Sequence, residues 1–185
     1  MMRNHPTRMT GRTAATVMIG LVVWCGTTLL QSGQLVPYKG RIEGAVVIAD
    51  EHITAPPARM ISSHLGKGIQ VYDETLEITA TETSLRAEGI SRSIAANGDE
   101  LQIAFVLEGP LTGTETVPYV GWYHVLPGGT GRFAYDRSLL DLGQGKLTGE
   151  AVIAVDAAGV ITLCFRHGFV GTLCLQPRRN KGISQ

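Results

Sequence analysis

The sequence predicts an all-β domain whose short antiparallel strands form either a sandwich or a closed barrel. Three observations indicate this fold class: two stretches with the composition of tight turns, segments in which apolar residues alternate, and no long run with helical periodicity. The 23 glycines among 185 residues are typical of a chain with many tight turns. The spacing of these signals predicts about eight to ten strands.

The first turn lies at Asn97, Gly98 and Asp99. An Asn-Gly pair is typical of a type I′ hairpin turn, because both central residues of that turn need positive φ angles. The segment that follows has large apolar residues at alternate positions, namely Leu101, Ile103, Phe105 and Leu107. It is therefore predicted to be a strand with one buried face, and residues 85–94 are the candidate partner across the turn.

The second turn contains Gly128, Gly129 and Gly131 and continues into Arg132 and Phe133. It follows a predicted strand over 119–126 and precedes the one place for a short helix, residues 132–142. A phosphate-binding loop is the alternative, but that motif needs a Lys-Ser/Thr pair and a long helix after it. Neither follows here, so we interpret this stretch as a structural turn.

The other strands are predicted from β-prone or alternating segments. They are 45–48, 69–72, 76–83, 146–155, 160–165 and 169–175.

Residues 1–34 are predicted to be a signal peptide or a signal anchor. Arg3, Arg8 and Arg12 precede an uncharged run of 18 residues bounded by Thr13 and Leu30. No Ala-x-Ala cleavage box follows, and the run is at the lower limit of a membrane span, so a cleaved signal and an uncleaved anchor both stay open. We expect an exported protein, periplasmic or secreted, held in the inner membrane if the signal is uncleaved. Residues 35–177 form the predicted domain, and 178–185 a polar tail.

The charge distribution argues against nucleic-acid binding. The formal net charge is +0, but the first 34 residues carry three of the 16 basic residues and none of the 16 acidic ones. The remainder has 13 basic and 16 acidic residues, a net charge of −3, and lacks the basic patch that binds phosphates.

Several short stretches, in order along the chain, resemble a family of bacterial exported proteins related to the allene oxide cyclase and dirigent-like β-barrels. They are residues 36–40, 63–66, 95–101, 128–134 and 168–173. The resemblance implies an eight-stranded antiparallel β-barrel of calycin-like shape. After Ala134 the family continues with a small residue and a glycine, whereas Tyr135-Asp136-Arg137 stand here, so a longer or helical link is expected. The plant cyclase's catalytic pattern does not map onto this chain, and no catalytic residue is carried over.

Cys164 and Cys174 are a candidate disulfide, because an exported protein meets an oxidising compartment. A tight turn near Phe169 would place them across a hairpin at bonding distance. If residues 160–175 form one long strand instead, they lie roughly 30 Å apart. The spacing alone leaves both alternatives open.

No motif in the sequence specifies a reaction, a metal or a cofactor. The histidines are scattered without the paired spacing of a zinc site, and neither a nucleophile elbow nor a His-Glu-x-x-His motif occurs. Phe105, Trp122 and His124 are candidates to line a barrel cavity, with ordinary core packing as the alternative.

Two classes of function follow from these observations. The first is a binding module for a small apolar ligand, or an interaction module of the cell envelope with a filled interior. The second is a cyclase- or isomerase-like enzyme on a lipid-derived or phenolic substrate, which rests on fold analogy alone. A titratable group inside a cavity would favour the enzyme.

Overall fold

The structure, a computed structural model, describes residues 33–135 and 141–176, which form ten β-strands and one 3₁₀ turn. The strands are β1 (Gln34–Ala49), β2 (His52–Thr54), β3 (Ala58–Ser62), β4 (Gly66–Tyr72), β5 (Glu77–Ala80), β6 (Ser84–Ala95), β7 (Glu100–Pro110), β8 (Thr116–Val125), β9 (Gln144–Val155) and β10 (Ile161–Leu175). No helix among the described residues is long and apolar enough to cross a membrane. Residues 1–32 of the predicted export segment and the predicted tail 178–185 lie outside them.

Eight of these strands pair in a closed antiparallel ring. The order is β10-β9-β8-β7-β6-β4-β3-β1, and β1 pairs again with β10 to close it. The β1–β10 seam places Gln34 opposite Leu175 and Ile48 opposite Ile161. The two short strands, β2 and β5, pair with β1 and β6 respectively. The prediction of an all-β antiparallel fold is therefore confirmed.

Side chains alternate between the interior of the ring and its outer surface, because successive residues of a strand point to opposite faces. Along β7 the predicted apolar face points inward, and Leu101, Ile103 and Phe105 are buried. In β8 buried and exposed residues alternate over the whole strand. The period-two pattern therefore reports which residues fill the ring.

The two strands predicted over 160–165 and 169–175 are one continuous strand, β10, which pairs with β1 and β9 without a break at 166–168. Cys164 and Cys174 lie ten residues apart on it, about 33 Å at 3.3 Å per residue, and both thiols are free. The disulfide alternative is therefore wrong, because no turn brings the two cysteines together.

The turn at Asn97, Gly98 and Asp99 joins β6 to β7, as predicted. The Gly98 N–H donates to the Ala95 carbonyl, and the Ala95 N–H donates to the Asp99 carbonyl, both at 2.9 Å. Of the three loop residues 96–98, only Gly98 has a positive φ, 83°. The predicted type I′ geometry is therefore wrong, and the chain makes a three-residue loop with glycine at its left-handed last position.

The glycine turn packs directly on the Asn-Gly turn. The Thr130 N–H donates to the Glu100 carbonyl at 3.0 Å, and the Glu100 N–H donates to Thr130 Oγ1 at 2.9 Å. All three predicted turn glycines have positive φ angles, 109° at Gly128, 77° at Gly129 and 59° at Gly131. A Cβ at Gly131 would lie 1.9 Å from Oδ1 of Asp99, so this contact between the turns needs glycine.

The chain after the glycine turn closes one end of the ring, here called the capped end. Phe133, Tyr135 and Leu142 are buried, and the Tyr135 hydroxyl donates to the carbonyl of Cys174. The described part of the predicted helix 132–142 contains the 3₁₀ turn Gly131–Phe133, and residues 136–140 lie outside the described residues. The opposite end of the ring, the open end, has no comparable cover among the described residues.

Candidate functional site

Aromatic side chains fill the ring next to the capped end. The ring centroid of Tyr38 lies 4.8 Å from that of Phe169 and 6.1 Å from that of Tyr123. Tyr123 lies over Gly145 and Gly171: a Cβ at Gly145 would come within 2.5 Å of its Cε1, and one at Gly171 within 2.6 Å of its Oη. This half of the interior is therefore closely packed around a cavity of only about 20 Å³, and any ligand has to approach from the open end.

A buried polar layer lies beside these aromatic side chains. Gln70 Nε2 donates to Ser91 Oγ at 3.0 Å, and Ser93 Oγ donates to Gln70 Oε1 at 3.4 Å. All three residues are buried, on the inner faces of β4 and β6. Because these groups satisfy one another, their burial costs little, and they hold the two strands in register.

The open half of the ring contains an apolar pocket with a cavity volume of about 60 Å³. Its lining comes from β1 and β4 through β10, so it lies on the axis of the ring rather than on its outer surface. The lining residues are Val46, Tyr72, Leu76, Ile78, Leu85, Ala87, Phe105, Leu107, Tyr119, Ala151, Leu163, Phe165 and His167. Tyr72, Tyr119 and His167 are the only three of these with polar side-chain atoms.

Two of the three polar residues form a hydrogen-bonded pair. Tyr119 Oη lies 3.1 Å from Nδ1 of His167, and either atom is the donor, depending on the His167 tautomer. His167 is 4% exposed and stacks on the ring of Phe165 at 5.6 Å. Removal from water disfavours the charged form and lowers the pKa of His167 from 6.5 to about 4. At neutral pH the imidazole is therefore uncharged.

Tyr72 is the third polar residue of the pocket. Its ring makes edge-on contacts with Phe105 and Phe165, at centroid distances of 5.7 Å and 6.1 Å. Burial raises the pKa of its hydroxyl, and the nearby hydroxyl of Tyr119 raises it further. Tyr72 and His167 separate the pocket from an inner cavity of about 20 Å³, which is room for one water molecule.

The three predicted cavity-lining residues do not lie together. Phe105 lines the pocket, as expected. Trp122 and His124 are exposed on the outer surface of β8, so their assignment to the cavity is wrong. They occupy the even positions of β8, and the odd positions, Tyr119 and Tyr123, face inward.

The sequence reasoning missed Tyr119 and His167. Two signals could have found them, since both lie in phase with large apolar residues at alternate positions of their strands. In β8 Tyr119 shares its phase with Tyr123, and in β10 His167 lies midway between Phe165 and Phe169. A polar residue in phase with an apolar face is predicted to be buried.

The pocket suits uncharged chemical groups. It contains no lysine, arginine or carboxylate among its lining residues, so a buried anion would find no counter-charge there. Within the described residues, no cluster of three or more His, Cys, Asp and Glu side chains could hold a metal ion. The neutral His167 and the Tyr119 hydroxyl can donate or accept one hydrogen bond with a bound molecule.

Comparisons with known proteins assign the chain to no class. No family model, curated protein or solved structure matches it. The residues of the pocket and its surroundings are therefore the basis for a function.

Proposed function

We propose that this protein is an exported, calycin-like β-barrel whose open end binds a small apolar ligand. The closed ring of eight strands and the resemblance of its turns to the dirigent-like family support the barrel assignment. The basic start and the apolar run 13–30 support export. The observation that carries the binding proposal is the pocket, with ten apolar residues among its thirteen lining residues, because an apolar lining with a few polar groups is the composition of ligand sites. Its volume is well below the roughly 300–1,000 Å³ of sites for drug-sized molecules, which limits the occupant to a small group.

The dimensions of the pocket indicate a slim ligand. A volume of about 60 Å³ holds only a few heavy atoms, given the roughly 30 Å³ that one water occupies in the liquid. The pocket therefore takes the end of a narrow hydrocarbon group, and the remainder of the ligand lies at the open end. Tyr119 Oη and His167 Nδ1 pair with each other, so an apolar end that rests against these two atoms leaves them hydrogen-bonded.

The test is a titration of the full chain with 1-hexanol, followed by amide and methyl NMR. We expect saturable shifts at Phe105, Leu107 and Leu163, which line the pocket. Ala151→Leu would place a larger side chain into the pocket and should weaken hexanol binding at least tenfold. Ala154→Leu is the matched control, because Ala154 is exposed on the same strand and should bind like the wild type.

An absence of saturable shifts in the wild type would overturn the binding proposal. So would equal weakening by Ala151→Leu and Ala154→Leu, because hexanol would then bind outside the ring.

A second candidate function is a cyclase- or isomerase-like enzyme, and one observation favours it. The Tyr119–His167 pair places two groups able to exchange a proton against the wall of an apolar pocket. Burial lowers the pKa of His167 and raises that of the Tyr119 hydroxyl, so the pair would act by donating a hydrogen bond from Tyr119 to a substrate oxygen rather than by releasing a proton. Turnover of an unsaturated epoxide or a phenol that disappears in Tyr119→Phe and persists in Tyr123→Phe would support this candidate.

A cell-envelope interaction module is the third candidate, favoured by the outer surface of the ring. Val120, Trp122 and Val170 are exposed there, and Lys146 Nζ lies 5.1 Å from the centre of the Trp122 ring. Exposed apolar side chains that lie together are typical of contact surfaces. A photo-crosslinking amino acid at position 120 should then capture one defined envelope protein, whereas the same amino acid at Glu82 should not.

A further inference from the structure

Acidic side chains surround the open end of the ring. The five connections at this end, all within the described residues, are 50–51, 73–76, 81–83, 111–115 and 156–160. Each contains at least one carboxylate and none contains lysine or arginine; the carboxylates are Asp50, Glu51, Asp73, Glu74, Glu82, Glu115 and Asp156. A molecule that enters the pocket therefore passes a negatively charged rim, which repels anions and attracts cations.

Three of these carboxylates line a slot in the side of the ring. At the open end β2 pairs with β1 and β5 pairs with β6, and no pairing joins β2 to β5. The slot lies between β2 and the β4–β5 connection and has a cavity volume of about 490 Å³. Its lining includes Glu51 from the β1–β2 turn and Asp73 and Glu74 from the β4–β5 connection.

Tyr72 joins the slot to the apolar pocket, since its side chain lines both. Its hydroxyl makes no hydrogen bond to another described residue, so it is able to accept one from a ligand. Leu76 also lines both spaces. An apolar chain in the pocket and a polar group in the slot would therefore lie on the two sides of Tyr72 and Leu76.

The wall of the slot is held in place by local hydrogen bonds. Asp73 Oδ1 accepts from the Thr75 N–H at 2.9 Å and from the Thr75 hydroxyl, and Thr75 Oγ1 accepts from the Ile90 N–H at 2.9 Å. These bonds fix the direction of the connection that carries Asp73 and Glu74. Fixed carboxylates attract a cation at lower entropic cost than carboxylates on a loose loop.

We propose that the ligand is a cationic amphipath, whose apolar end occupies the pocket and whose ammonium group lies in the slot beside Tyr72, with Glu51 and Glu74 as its counter-charges. This inference rests on the proposed binding function and specifies its ligand class. The ammonium group donates a hydrogen bond to the Tyr72 hydroxyl, and the carboxylates supply the counter-charge. The carboxylates of the rim repel an anionic amphipath of the same length, and no lysine or arginine lines the pocket to offset this repulsion.

The test compares three probes of equal chain length, hexylammonium, 1-hexanol and hexanoate, by NMR titration of the full chain in 20 mM salt. Two carboxylates about 7 Å from an ammonium group in water favour it about tenfold over a neutral group. We therefore expect hexylammonium to bind about tenfold tighter than 1-hexanol, and hexanoate at least tenfold weaker. In 1 M salt, where screening acts over about 3 Å, the preference should shrink to within about twofold.

Variants locate the preference in the slot. Glu51→Gln combined with Glu74→Gln should remove most of the hexylammonium preference and leave 1-hexanol binding unchanged. Glu115→Gln is the matched control, because Glu115 lies on the rim but does not line the slot, and it should keep the preference. Tyr72→Phe should weaken hexylammonium more than 1-hexanol.

Equal affinities for hexylammonium and 1-hexanol would overturn this inference and leave the binding function standing. The inference would also be overturned if the preference survived in the Glu51→Gln, Glu74→Gln double variant. Failure of all three probes to bind would overturn the binding function, and the ligand class with it.

Discussion

His167 should make the stability of the fold depend on pH between about 6.5 and 4. The side chain is 4% exposed, and burial lowers its pKa in the folded state to about 4. In the unfolded chain the same group titrates near 6.5. Between these two values the unfolded state binds a proton that the folded state does not bind, so protonation favours unfolding.

The sign and size follow from this difference in pKa. Because the pKa of His167 is lower in the folded state, its contribution to the free energy of unfolding is fully present above pH 6.5 and is lost as the pH falls toward 4. At about 1.4 kcal/mol per unit of pKa, the loss amounts to about 3 kcal/mol by pH 4. Below pH 4 both states bind the proton, and this contribution changes no further.

The assay is urea denaturation followed by far-UV circular dichroism, at intervals from pH 7.5 to 4.0. The comparison is between the wild type and His167→Gln, which is neutral at every pH and keeps a group able to bond Tyr119. Subtracting the two unfolding free energies at each pH cancels the titration of other groups. The stability advantage of the wild type should fall by about 3 kcal/mol over this range.

Parallel wild-type and His167→Gln curves would contradict the burial of an uncharged imidazole. His167 would then be accessible to water and protons, and the pocket wall would be open rather than dry.

Three further predictions concern individual residues and are measured by urea denaturation at pH 7. Gly131→Ala should lower the free energy of unfolding by more than about 2 kcal/mol, because φ is 59° and a Cβ would meet Asp99. Gly66→Ala should lower it by about 1 kcal/mol, because φ is 70° but a Cβ there would meet no other atom. Equal losses in the two variants would contradict this prediction. Tyr123→Ala should lower the free energy of unfolding by about 3–5 kcal/mol, and Trp122→Ala by under about 1 kcal/mol. The reverse order would disprove that the odd-numbered residues of β8 face the interior. Glu51→Gly should stabilise by about 1 kcal/mol, since Glu51 has φ 65°; no gain would mean that its local contacts offset the strain.

Local patterns in the sequence determined the strands and the turns. Alternating apolar residues identified β7 and its inner face, because the side chains of every strand point alternately to its two faces. The Asn-Gly and glycine-rich stretches identified two real turns, because only glycine takes positive φ without a steric cost. The same patterns said nothing of the contact between these turns, which depends on Asp99 fitting against Gly131 across the end of the ring.

The type of a residue does not show which face of a strand it occupies; its position in the alternating pattern does. Trp122 was assigned to the interior as a large aromatic residue, yet the odd residues of β8 face inward and Trp122 is even. Residues 160–165 and 169–175 were predicted as two strands, whereas β10 continues through 166–168 with partners on both sides. The local sequence left the disulfide open, since one strand and two strands cannot be distinguished until both neighbouring strands are in place.

Residues close together in the chain are enough to specify a β-rich fold and its turns, and they contain no familiar catalytic motif. The tertiary structure added the closure of the strands into a ring, since β1 and β10 meet across more than a hundred residues. It also brought Tyr119 to His167 and placed Tyr72 between an apolar pocket and an acidic slot. Tyr119 and His167 lie on the two sides of Gly149, so the register of β8, β9 and β10 fixes that pair, and sequence periodicity does not report register.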